Sequence, residues 1–213
     1  MIQAVIFDFD GVVVKSMEQH FAAWQKAFAE KNVHIKPDDF FVMEGQGVHI
    51  IAHTLGKKHG LSEGDVEEVI HRKMTYYNQF MYLEFYDYFK DMLKSLHKHQ
   101  IPLGVVTGGN RERVWKVINE HFPNDFKAVV TVDDIERGKP HPDPFLKGAE
   151  LMGVAPEKCI VVENAPLGIE GAKKAGMTVI AVTTTLSPEK LHQADYIARN
   201  FKEVKKIIFA LYT

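Results

Sequence analysis

The sequence predicts an α/β fold, a doubly wound parallel sheet of Rossmann-like type with an inserted α-helical cap. Three observations predict it. The chain opens on an apolar, β-branched run, Ala4-Val5-Ile6-Phe7, of the kind found in strands buried on both faces. From Tyr88 onward, strand-like and helix-like stretches alternate, the pattern of a parallel sheet with crossover helices. Between these two parts the apolar spacing is helical and no convincing strand is found. The expected division is a core from residues 1–14 and 86–213 and a helical cap from residues 15–85.

Taken in order, the first apolar run extends to Val14 and is interrupted by Asp8 and Asp10. A spacing of two lets both carboxylates point the same way at the end of a strand, and Gly11 lets the chain turn. Two unpaired carboxylates about 4 Å apart repel by about 4 kcal/mol at an effective dielectric near 20, so the pair calls for protonation or a cation. A metal site is the simpler solution. A helix follows, with Phe21, Trp24 and Phe28 at helical spacing, Ser16 as its N-cap and Asn32 near its end. Two further helices are expected over 49–59 and 62–80, with Gly45, Gly47, Gly56 and Gly60 marking loops or helix ends.

Beyond Tyr88, a helix containing Phe89, Met92, Leu93 and Leu96 leads to a strand over 101–106 that ends on Thr107-Gly108-Gly109-Asn110. The alternation continues with helices over 113–121, 142–152 and 166–175 and strands over 128–132, 159–162 and 178–182. Ligands of such sheets bind beyond the carboxyl ends of the strands, and Asp8, Asp10, Thr107, Glu163 and Asn164 all fall there.

Composition narrows the partners. Lys and Arg number 26 against 28 Asp and Glu, a net charge of -2, which leaves no electrostatic footprint for nucleic acid or an acidic membrane surface. A small molecule is the expected partner, and a monomer the expected state. The one cysteine, Cys159, lies in an apolar run and reads as a buried thiol in a reducing compartment. Without a signal-like or bilayer-spanning run, a soluble cytoplasmic protein is expected.

Four segments, in order, resemble the motifs of the haloacid dehalogenase superfamily. They are Asp8-Phe9-Asp10-Gly11-Val12, Val105-Val106-Thr107-Gly108, Gly138-Lys139-Pro140-His141-Pro142-Asp143, and Val161-Val162-Glu163-Asn164-Ala165-Pro166-Leu167-Gly168. The resemblance spans nearly the whole chain and is greatest to the branch containing β-phosphoglucomutases and phosphoglycolate phosphatases. It implies that Asp8 is a nucleophile that takes up a phosphoryl group as an aspartyl phosphate. It implies that Asp10 is the general acid and base, and that Thr107, Gly108, Gly109 and Lys139 hold the phosphoryl group. Magnesium is the implied cofactor, held by Asp8, the Asp10 carbonyl, Glu163 and Asn164. His20 and Lys73 resemble cap positions that contact substrate or the hinge.

Two features depart from that pattern. Asn164 stands where many relatives carry an acid, which removes one negative charge from the metal site. The cap loop, Met43-Glu44-Gly45-Gln46-Gly47-Val48-His49, lacks the arginine that a mutase of this branch uses for a second phosphate, and carries Glu44 instead. Glu44 either faces solvent or approaches the metal and offsets the missing charge. His49 and His53 are read as a solvated helix face and not as metal ligands. The reading that best fits is a magnesium-dependent phosphohydrolase of small phosphorylated metabolites. An inorganic pyrophosphatase, a β-phosphoglucomutase and a non-catalytic phosphometabolite-binding protein are the alternatives.

Overall fold

The computed structural model describes residues 2–212. Six strands form one parallel sheet in the order β3-β2-β1-β4-β5-β6. They are β1 (Ala4–Phe7), β2 (Leu103–Val106), β3 (Ala128–Val130), β4 (Cys159–Glu163), β5 (Thr178–Val182) and β6 (Tyr196–Ala198). β1 is central, pairing through Phe7 with Val105 of β2 on one side and with Val162 of β4 on the other. Every residue of β1 is buried, as a strand covered on both faces requires.

Period-two alternation sorts the strand side chains between two cores. Val5, Phe7, Ile160 and Val162 face a core closed by α5 (Phe89–Lys98), α6 (Arg111–His121) and α9 (Phe201–Tyr212). Ala4, Ile6, Cys159 and Val161 face the opposite core, closed by α7 (Asp143–Met152) and α8 (Pro166–Lys174). Phe7 meets Phe89 edge to face at 5.7 Å between ring centroids, and truncating such a buried ring costs about 3–5 kcal/mol.

Between β1 and α5 lie α1 (Met17–Ala29), α2 (Pro37–Phe41), α3 (Val48–Lys58) and α4 (Glu63–Phe80). These four helices have a core of their own, in which Trp24 and Phe28 of α1 pack with Leu55 of α3 and Val69 of α4. α4 begins on Ser62, whose hydroxyl accepts from the Asp65 N–H while Asp65 accepts from the Ser62 N–H, a reciprocal cap that satisfies two otherwise orphaned donors.

Several expected boundaries move. β1 stops at Phe7, so Asp8 and Asp10 lie in a turn beyond the strand, held by Val13 and Val14 N–H donating to the Phe9 carbonyl and Gly11 N–H to the Val14 carbonyl. The apolar run from Val12 to Val14 that suggested a longer strand is buried because it packs into the core as a turn. Ser16 precedes α1 but makes no capping bond; its hydroxyl donates to Asp10 Oδ1 at 2.6 Å instead. β6 and α9 lie beyond the last expected strand. No described helix is long and apolar enough to cross a membrane.

Candidate active site

The loops following β1, β2 and β4 meet the segment leading into α7 at the carboxyl edge of the sheet. Lys139 occupies the centre, its Nζ 2.5 Å from Asp8 Oδ1 and 2.5 Å from Glu163 Oε1. All three side chains are buried. The second Glu163 oxygen accepts the backbone N–H groups of Asn164 and Ala165, at 2.8 and 3.0 Å. Glu163 is thus a fixed anchor for the ammonium, and a Cβ at Gly168 would collide with its carboxylate. Burial raises the Asp8 carboxyl to about 7 against the pull of Lys139. The two carboxylates hold Lys139 above its ordinary value in spite of burial.

Asp10 has a different environment from the repelling pair expected of it. Burial works against its charge, but the Arg113 guanidinium and His20 hold its carboxyl well below the usual range. Arg113 grips it with a two-point fork, Nη1 to Oδ1 at 2.8 Å and Nη2 to Oδ2. His20 Nε2 lies 3.3 Å from Asp10 Oδ1, and His20 Nδ1 lies 3.2 Å from Lys73 Nζ. Tyr77 stacks on the His20 ring at 4.0 Å and its hydroxyl accepts from Arg113 at 3.3 Å. Burial first, then Arg113, bring the Lys73 ammonium down to about 7; burial and then Lys73 bring His20 to about 4.

Thr107 and Gly108 form the floor beyond β2. The Thr107 hydroxyl accepts from the Gly109 N–H at 3.0 Å. Gly108 has a second reason to be glycine, because a Cβ there would collide with the Gly45 carbonyl of the cap loop. Gly45, at φ +89, is itself in the left-handed region, where a side chain is strained. The cap loop therefore sits directly on the floor. It delivers Glu44, which is buried with 2 % exposure, so the solvated alternative does not hold for it. Glu44 Oε1 accepts from Asn164 Nδ2, and Oε2 accepts from the Thr185 hydroxyl at 3.2 Å. Burial first, then Asp8, push the Glu44 carboxyl well above its ordinary value.

A cavity of about 790 Å³ opens above this floor, with Asp8, Asp10 and Thr107 below and Glu44, Ile50 and Lys73 on the cap side. The donor set fits a hard divalent cation such as magnesium. Both amide hydrogens of Asn164 are taken, by Glu44 and by Thr185 at 2.9 Å, while its buried Oδ1 has no hydrogen-bond partner. A lone oxygen acceptor beside clustered carboxylates is what an oxygen-seeking ion needs. His49 borders the same cavity, but it groups with His53 and Glu67, whose side chains approach one another, and His53 Nδ1 pairs with Glu63 at 3.1 Å.

Residues 5–182 match the family model of the haloacid dehalogenase-like hydrolases. The chain belongs to that family. Among haloacid dehalogenase-like relatives, hexitol phosphatase A of Escherichia coli K12 is 29% identical over 216 residues, covering 93% of this chain and 91% of that protein. Pyrophosphatase PpaX of Bacillus cereus AH820 is 30% identical over 193 residues, covering 87% and 85%. β-Phosphoglucomutase of Clostridium difficile shares the fold with a TM-score of 0.83 at 23% identity, covering 100% of this chain and 97% of its own.

Three site residues escaped the sequence reading: Ser16 and Arg113, which hold Asp10, and Thr185, which holds Glu44 and Asn164. Arg113 had a legible signal. It lies three residues into the helix that follows the Thr107 loop, where the Asn110 side chain accepts its N–H at 2.9 Å and caps the helix.

Proposed function

We propose that this protein is a magnesium-dependent phosphohydrolase of small phosphorylated metabolites, working through a phosphoryl-aspartate intermediate at Asp8. The observation that carries this reading is the buried Lys139 ammonium held against Asp8, with Asp8 and Thr107 lining a cavity whose other wall includes Glu44 and Lys73. In the first step an Asp8 carboxylate oxygen attacks phosphorus while the bond to the leaving oxygen breaks. Asp10, ionised while Arg113 grips it, has to leave that grip and take up a proton from water, which it then gives to the leaving oxygen. Water then attacks the phosphoryl group, Asp10 takes the water's proton, and phosphate leaves with Asp8 regenerated. Lys139 and Thr107 face the charge that spreads over the transferring oxygens, and Glu163 keeps Lys139 in place. Asp8, the Asp10 carbonyl, Asn164 Oδ1 and Glu44 would hold magnesium, with Glu163 behind them. Magnesium would supply charge neutralisation for the transferring phosphoryl group.

Phosphatases and pyrophosphatases among the relatives support the reaction class. Phosphate release should be measured over sugar phosphates, phosphoglycolate, nucleotides and pyrophosphate, with and without magnesium, for the natural protein and Asp8→Asn. Turnover that depends on magnesium and vanishes in Asp8→Asn is the expected result; substantial turnover by Asp8→Asn would sink the aspartyl-phosphate route.

One observation favours a narrower reading, inorganic pyrophosphatase. A cap acid buried against Asn164 links the lid to the metal ligands, and a lid so held shelters a very small substrate well. Pyrophosphate as the best substrate in the same screen is the outcome this reading requires.

A further inference from the structure

The cap loop carries no arginine, yet an arginine faces the reaction cavity from the other side. Arg113 comes from the core, on the first turn of α6, and reaches across the phosphate-binding loop. A Cβ built on Gly109 would lie 2.6 Å from Arg113 Nη2 and 3.3 Å from the Thr107 hydroxyl. The absence of a side chain at Gly109 is therefore what lets the guanidinium lie between Thr107 and Asp10. Its guanidinium also lies over the rings of Phe9 and Tyr77, with the central carbon 5.4 and 5.8 Å from their centroids.

The local charges do not balance. Arg113 and Lys73 are two cations facing one carboxylate, Asp10. The Lys73 ammonium is 2 % exposed with its residue, and its contacts among the described residues are His20 Nδ1 at 3.2 Å, the Met74 sulfur at 4.0 Å and the rings of Trp24 and Tyr77. No ion pair between Lys73 and a carboxylate occurs within 4.0 Å among the described residues. Two buried cations sharing one anion leave room for a second. A guanidinium fork fits a carboxylate and a phosphate oxygen pair equally well, so the Asp10 carboxylate occupies a grip that suits a substrate oxyanion.

We propose that Arg113 is a specificity-determining residue that exchanges Asp10 for a second oxyanion on the leaving side of the substrate, so that the enzyme prefers substrates with an anionic group adjacent to the scissile phosphate. This rests on the phosphohydrolase reading above. The fork touches Asp10 itself, so the second anion must lie within a few bonds of the scissile phosphorus, as in a diphosphate or a phosphorylated short-chain carboxylate. A phosphate at the far end of a sugar lies too distant for this grip. The exchange also lets Asp10 take up the proton it must give, since the guanidinium that keeps the carboxylate ionised then pairs with substrate.

Calorimetric binding in excess magnesium tests the exchange with three unreactive probes: methylphosphonate, which has no second anion, methylenediphosphonate and phosphonoacetate. The natural protein should bind methylenediphosphonate at least tenfold tighter than methylphosphonate. Arg113→Ala should reduce that ratio to about twofold or less, whatever the change in methylphosphonate affinity itself, and Arg113→Lys should fall between. Phosphonoacetate following methylenediphosphonate identifies any oxyanion as the ligand; phosphonoacetate behaving like methylphosphonate restricts the site to a second phosphoryl group. Thermal unfolding of both variants checks that each is folded. A ratio that survives in both variants, or equal weakening of all three probes, overturns the proposal and leaves Arg113 as a holder of Asp10. If methylphosphonate binds the natural protein but no preference exists, the proposal fails while the phosphohydrolase reading stands. If no probe binds, both fall.

Discussion

Lys73 is expected to cost the fold stability, and Lys73→Met should return it. The ammonium is buried beside Arg113, and these two causes take it from 10.5 to about 7. A fall of that size corresponds to about 5 kcal/mol of disfavoured charge in the folded chain. The unfolded chain keeps the proton up to its ordinary value, so between pH 7 and 10.5 it binds more protons than the folded chain and stability rises with pH. Methionine keeps an unbranched stem against Trp24 and Tyr77 and removes the titration. The contact with His20 Nδ1 is lost, at about 1 kcal/mol. A net gain of about 2–4 kcal/mol is expected near pH 6.5, or roughly 5–12 °C in melting temperature for a chain of this size. The gain should shrink by about 3 kcal/mol at pH 9.5, where the natural protein sheds the Lys73 proton on folding and, so near the group's ordinary value, loses it at little cost. Thermal unfolding of both proteins at the two pH values, without substrate or magnesium, measures it. A gain of equal size at both pH values, or a net loss at pH 6.5, would refute the account. Turnover should fall in the same variant, since the removed ammonium faces the cavity.

Glu44 and Asn164 should be coupled. Glu44→Ala is expected to raise the magnesium concentration for half-maximal rate by about tenfold, about 1.4 kcal/mol, and adding Asn164→Asp should recover part of it. Additive effects across the four members of the cycle would separate the lid from the metal and remove support for the pyrophosphatase reading. Gly168→Ala should displace the Glu163 carboxylate and release Lys139 from Asp8; a loss of turnover beyond about a hundredfold is expected, about 2.7 kcal/mol or more of barrier, and near-normal rates would show that Glu163 is not the anchor. Chelation with EDTA should abolish turnover and added magnesium restore it, and full activity in chelator would contradict the proposed cofactor.

Local patterns carried most of the scaffold. β5 lies at 178–182 as its β-branched run predicts, and Ser62 caps α4 through a reciprocal pair whose residues are three apart in sequence. β1 was overread because burial alone does not distinguish a strand from an apolar turn packed into the same core. β6 is three residues long with two of them exposed, too short to show a period. α9 did show one, in Phe201, Val204 and Ile208, all buried. At the site, Asp8, Asp10, Thr107, Glu163 and Asn164 could be named because they end a strand or follow one closely, and Lys139 from its own motif ahead of α7. What Asp10 does with its charge could not be, since Arg113 lies 103 positions away and only the sheet order brings β2 beside β1. The burial of Glu44 was equally invisible, because it depends on a cap loop resting on Gly108.

The two threonines after β5 give the lid an address in the chain. The Thr184 hydroxyl donates to the Gly11 carbonyl at 2.7 Å, and the Thr185 hydroxyl donates to Glu44 while accepting from Asn164. The family match stops at residue 182, just short of both. The latch that keeps Glu44 buried is thus built from residues just past the stretch that the family model matches. Removal of the Thr185 hydroxyl alone would take one hydrogen-bond partner from Glu44 and one from Asn164 at a single stroke.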